Sequence, residues 1–174
     1  MRWALRLFFI TIAISAAFSL ISSKALDGVG IAVAFCVLLG FIAVGILFDI
    51  VGIAVASADE RPFHSMAARK VPGAFEALKL LRGAEKVSSF CNDVVGDIAG
   101  IISGTTSAVI VTRLVSAFNF QTLVTQLLVS GVVAGLTVGG KAVGKGIAMG
   151  FSTEIVHLVG RVMAAVPRVR RKRR

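Results

Sequence analysis

Apolar residues run in four long blocks separated by polar breaks: Leu5 to Ile21, Val29 to Ser57, Phe90 to Val111 and Leu123 to Val138. A helix rises 1.5 Å per residue, so about 20 apolar residues cross the roughly 30 Å hydrocarbon layer, and each block predicts a membrane span. The first and last are short, and the second is long enough to project past the bilayer. In the first block Thr11, Ser15, Ser19 and Ser22 recur at helical spacing, a small polar stripe expected of a retained helix packed in a bundle rather than of a cleaved leader. Between the second and third blocks, Asp59 to Ser89 is polar and broken by Pro62 and Pro72. There Phe75, Leu78 and Leu81 are spaced as one face of a short helix, with Glu76 and Lys79 elsewhere on its surface, which predicts an amphipathic cytoplasmic belt or a solvated connection. The outer loop, Arg113 to Gln121, is short. From Phe151 onward, Ile155, Leu158, Val159, Val162 and Val166 leave a polar stripe of Glu154, His157 and Arg161, the pattern of an interfacial helix stopped by Pro167. The expected fold is an all-α polytopic membrane bundle of about four spans plus amphipathic helices. Its parts are an N-terminal span over 1–28, a central domain over 29–150 with a belt at 59–89, and an interfacial helix with a basic tail over 151–174.

Composition agrees with the bilayer as solvent. The chain is 56% hydrophobic with a mean hydropathy of +0.90 and no tyrosine, beyond the roughly 45–50% apolar share of soluble domains. A net charge of +10 would otherwise point to nucleic acid, but its placement follows membrane topology. With both termini inside, 17 of the 19 basic residues fall on the cytoplasmic side and only Lys24 and Arg113 outside, a strong orientation signal under the positive-inside rule. The expected location is therefore the inner (cytoplasmic) membrane. The tail residues Arg168, Arg170, Arg171, Lys172, Arg173 and Arg174 are expected to face anionic lipid headgroups, each contributing about 1 kcal/mol near the surface. Cys36 and Cys91 lie in apolar runs and read as free thiols.

Candidate chemistry sits in the third span, where Asn92, Asp93 and Asp97 interrupt an apolar run. The aspartates are four residues apart, which on a helix puts both carboxylates on one face. A carboxylate at the centre of a membrane helix costs roughly 2.5–3.5 kcal/mol, so it normally meets a partner or a wet cavity. Asp49, Ser57, Asp59 and Glu60 at the inner end of the second span would lie on the same side of the midplane. Oxygen ligands of this kind suit a hard cation such as magnesium. The alternatives are hydrogen bonds or ion pairs within the bundle, with Lys141 or Lys145 for the span acids, and an ordinary loop role beside Arg61 for Asp59 and Glu60. His64 and His157 are isolated and read as surface or packing residues. Gly96, Gly100 and Gly104 on the third span and Gly131, Gly135 and Gly139 on the fourth form four-residue ladders that permit close helix approach, within a chain or across a dimer. Gly140, Gly144, Gly146 and Gly150 around Lys141 and Lys145 allow kinks or unwound backbone. No nucleophile with its base, phosphate loop or metalloprotease helix is present, so an enzyme is not expected.

The runs Ala56-Ser57-Ala58-Asp59-Glu60-Arg61-Pro62-Phe63, Ala67-Ala68-Arg69-Lys70-Val71-Pro72-Gly73-Ala74, Ala77-Leu78-Lys79-Leu80-Leu81 and Cys91-Asn92-Asp93-Val94-Val95 resemble the transmembrane domain of the CorB/CorC and cyclin-M (CNNM) magnesium transporters. Ser57 and Glu60 match the family's Ser-x-Ser-Glu-type motif, with Asp59 in place of the second serine. Asn92 matches the first asparagine of its Gly-Asn-Asn-type motif, with Asp93 in place of the next. The resemblance covers about residues 29 to 165. It implies a dimeric domain that binds a dehydrated magnesium ion between helices, with Ser57, Asn92 and backbone carbonyls as ligands, and with Asp93, Asp97 and Glu60 setting the negative field. The chain departs from the pattern at Gly140-Lys141-Ala142-Val143-Gly144-Lys145, where the family usually shows Gly-Glu-x-x-Pro-Lys. It also departs in its leading span, and in a basic tail where the family continues into paired CBS modules. The expectation is a magnesium (or cobalt) transporter-like homodimer with the ion as substrate, no organic cofactor, no nucleic-acid partner, and any regulator a separate polypeptide. The alternative is a scaffold or regulatory subunit that keeps the fold without transport.

Overall fold

The computed structural model describes residues 8–17, 20, 28 and 30–165. Both ends of the first expected span and the whole basic tail from Arg168 to Arg174 lie outside them. Among the described residues the chain is helical, without strands: α1 (Phe8–Ala17), α2 (Ile31–Ser57), α3 (Arg61–Ala68), α4 (Ala74–Arg82), α5 (Ala84–Ser89), a π-helical segment (Phe90–Gly96), α6 (Asp97–Phe118), α7 (Thr122–Gly150) and α8 (Ser152–Ala165). Among the described residues three helices are long and apolar enough to cross a membrane: Ile31–Ser57, the continuous Ala84–Phe118, and Thr122–Gly150. At 10 residues, Phe8–Ala17 is shorter than the roughly 20 a span requires.

The chain divides into two compact units, Met1–Leu47 with Val94–Ala142, and Phe48–Asp93 with Val143–Arg174. In the first, Ala34, Leu38 and Ile42 of α2 pack with Ile110 of α6, joined by Val109, Leu114 and Val133. Val94, Ile98 and Ile102 form a second cluster that takes in Phe41 and Ile14 of α1. A methyl at Gly45 would stand 3.1 Å from the Ala99 Cβ, so α2 and α6 approach there nearly backbone to backbone. The α6 to α7 turn is tighter than expected. Arg113 lies within α6, and Asn119 closes that helix at φ +54°, a left-handed position that asparagine tolerates.

The second unit buries Ala54, Val55, Phe63, Ala77, Leu78, Leu81, Ala148 and Val156 together. Asp59 Oδ1 accepts the backbone N–H of Arg61 at 3.1 Å, and Pro62 sits in the first turn of α3, where its missing N–H costs nothing. The α4 face differs from the expected one. Ala74, Ala77, Leu78 and Leu81 are buried together with Glu76, while Phe75 is 60% exposed. The cause is a glycine crossing: Gly73, at φ +86°, lies against the backbone of Gly160 and Arg161, where a Cβ would meet atoms at 2.5–2.8 Å. That approach turns the alanine side of α4 inward against α8.

The glycine-rich end of α7 is continuous helix through Gly150 rather than unwound, because a chain without water must satisfy its backbone within the helix. Gly100, Gly104, Gly131, Gly135 and Gly139 have no heavy atom within 4 Å of a Cβ position. The ladder faces of α6 and α7 are therefore uncovered among the described residues.

The α4/α8 crossing yields a test. Gly160→Leu puts a side chain into the Gly73 carbonyl and Ala77, and overpacking of this kind costs about 1–3 kcal/mol. We expect a thermal midpoint several degrees lower in detergent and faster proteolysis between α3 and α5, while Gly146→Ala, where space is open, leaves both unchanged.

Candidate functional site

Helix α2 presents Gly52, buried, toward the π-helical segment Phe90–Gly96, and the side chain of Asn92 occupies the space above it. A Cβ at Gly52 would collide with Asn92 Oδ1 and stand 3.0 Å from the Cys91 Cβ. The amide Nδ2 donates to Ser88 Oγ, one turn earlier, at 3.4 Å. Asn92 Oδ1 is buried and has no hydrogen-bond partner among the described residues. A buried polar atom left unpaired costs about 1–3 kcal/mol, so such an atom calls for a water or an ion that satisfies it. Turning the amide over leaves a polar atom in the same place, and of the two the carbonyl is the one a cation satisfies.

The local winding is part of the site. Cys91, Asn92 and Asp93 fall within the π-helical segment Phe90–Gly96, and single π turns inside α-helices occur frequently at functional sites because the inserted residue re-aims side chains. Cys91 is buried and a free thiol, as is the exposed Cys36.

The expected residues divide clearly. Asn92 is at the centre of the packed contact. Ser57 is exposed and its Oγ donates to the Ile53 carbonyl at 2.8 Å, an ordinary back-bond within α2. It lies about 7–8 Å along the helix axis from Gly52, so Asn92 opposes Gly52 rather than Ser57. Asp59 forms a 4.0 Å ion pair with Arg61, and Glu60 Oε2 is 3.6 Å from His64 Nε2, the loop role weighed above. Asp93 and Asp97 are both exposed, and Asp49 is half-buried with a polar partner. Among the described residues no three His, Cys, Asp or Glu side chains gather closely enough to hold a metal ion. His157 Nε2–H donates to the Pro72 carbonyl at 3.2 Å, a packing role.

Two contributors were missed from sequence, Gly52 and Ser88. The signal for Gly52 was present: Gly45 and Gly52 are one heptad apart in this span, the spacing of a single close-approach face. Nothing in the local sequence marks Ser88, whose role follows from the winding.

No family model, curated protein or solved structure matches the chain.

The Gly52–Asn92 contact predicts a non-additive pair. Gly52→Ala should lower the thermal midpoint of the purified protein by an amount equivalent to about 1–3 kcal/mol, and most of that loss should disappear in an Asn92→Ala background. Equal losses in both backgrounds would place the collision elsewhere.

Proposed function

We propose that the chain is an integral inner-membrane protein, both termini cytoplasmic, that binds magnesium or a similar divalent cation such as cobalt and moves it across the bilayer. We further propose that its likeness to the CorB/CorC and cyclin-M transmembrane domain reflects a shared ion-handling core. One observation supports this reading above the others: the buried, unpartnered carbonyl of Asn92, the residue that matches the family's asparagine, held in a π-helical turn against Gly52. Magnesium keeps several waters and takes one or two carboxylates with other oxygens. In this reading Asn92 supplies a neutral oxygen, Asp93 and Asp97 supply the field that draws the ion in, and Ser57 and Glu60 act at its cytoplasmic approach.

A pair of chains completes the proposal. The uncovered face of α6 carries Asp97, Gly100, Gly104 and Ala108, all exposed, and an aspartate with small residues makes a poor surface for lipid. The open glycines of α7 lie at matching depth: Gly100 is about 27 Å from the outer end of α6 and Gly139 about 26 Å from that of α7, by 1.5 Å per residue. Two copies packing α6 on α7 would cover both ladders. Gly104→Cys combined with Gly135→Cys should give a disulfide-linked dimer in vesicles, whereas Phe8→Cys with Gly135→Cys should not.

The second reading, a scaffold that keeps the fold without transport, is favoured by the local engagement of Ser57, Asp59 and Glu60 and by Lys141 where the related domain carries an acid. Magnesium flux in proteoliposomes separates the two. The transporter reading expects wild-type flux that falls at least tenfold in Asn92→Ala and in the Asp93→Asn, Asp97→Asn double variant. Absent flux favours the scaffold, and flux indifferent to these changes overturns the assigned ion site.

A further inference from the structure

Helix α8 has two apolar sides, and the structure covers one of them. Val156 and Gly160 are buried against α4. Phe151, Leu158 and Val162 remain about 59% exposed, and Met163 43%. Beside this open side runs a groove of about 510 Å³ lined by Pro72, Leu158, Arg161, Val162, Ala164 and Ala165. Its volume lies within the roughly 300–1,000 Å³ range of small-molecule sites. The lining is aliphatic except for one cation, Arg161, whose side chain is exposed while its backbone is fixed against Gly73. Arg161 is the one charged residue of the lining; Arg69 and Lys70, both exposed, lie just ahead of Pro72 in the chain, and Glu154 is an exposed acid two turns before Arg161 on α8.

We propose that this groove binds an anionic phospholipid of the cytoplasmic leaflet, its acyl chain along Leu158, Val162 and Ala165 and its phosphate on Arg161. Three observations favour that occupant. The apolar lining with a basic edge complements a chain joined to a phosphate. An exposed aliphatic stripe flanked by arginine is the form of a helix lying in the membrane interface. Finally, α8 follows the span-length α7 with Phe151 alone between them, so it starts at the end of a helix long enough to reach the bilayer surface. The inference rests on the membrane-embedded reading and is independent of whether the chain moves an ion.

The test uses the full chain in nanodiscs of mixed phosphatidylglycerol and phosphatidylcholine. Native mass spectrometry should find phosphatidylglycerol retained at least fivefold over phosphatidylcholine, with the preference lost in Arg161→Gln. A nitroxide on Val162→Cys should relax with oxygen and not with a water-soluble nickel complex, as should one on Leu127→Cys in α7. If the Leu127 label is lipid-exposed while the Val162 label meets nickel, the groove is open to water and the proposal fails alone. Shielding of Val162 from both agents means that protein covers it, and equal retention of the two lipids, or retention unchanged by Arg161→Gln, likewise overturns it. Nickel access at Leu127 overturns the membrane reading itself.

Discussion

Close backbone approach at glycine is the constraint on which the rest depends. Gly45 lets α2 meet Ala99, Gly52 lets it meet Asn92, and Gly73 with Gly160 joins α4 to α8. In hydrocarbon, helices gain little from hiding apolar surface, so contact area at short range has to supply the attraction, and small residues supply the short range. At Gly52 the same device has a chemical consequence. Removing a side chain from α2 makes room for a polar one from the third span, and the carbonyl placed there is left without a partner.

That carbonyl links packing to function. An unpaired oxygen beside a helix backbone is too weak to hold a divalent cation alone, yet it is the type of ligand that replaces a water in a partly hydrated ion. The acids of the same segment are exposed, not gathered around it, so the reading assigns them to attracting the ion and assigns Asn92 to receiving it. The same logic extends outward: the open faces of α6 and α7 are proposed to meet a second copy, and the aliphatic groove beside Arg161 to hold lipid.

Much of the architecture was legible in the sequence, and its failures have physical causes. The second block, expected from Val29 to Ser57, is α2 at Ile31–Ser57, because a long apolar run with Asp49 as its single charged residue is satisfied in lipid as helix. The helices over the third and fourth apolar blocks extend further than hydropathy indicated. Ala84–Ser89 and Lys141–Gly150 are polar or glycine-rich but continue the helical hydrogen bonding of their neighbours. On the inward side of α4 Leu78 and Leu81 were legible, but Ala74 and Ala77 stand there in place of Phe75, because the glycine crossing that buries them joins positions far apart in the chain. Asn92 was legible as an anomaly in an apolar run. Its π-helical setting was not, since that winding is fixed by what the segment packs against.

Calorimetric titration of magnesium into the full chain in nanodiscs tests the central claim most directly, because it reads binding without requiring transport. The account predicts saturable binding by the wild type that is abolished in Asn92→Ala, with the helical content of the variant unchanged. Wild-type protein that binds no magnesium, or an Asn92→Ala variant that binds it as the wild type does, would contradict it.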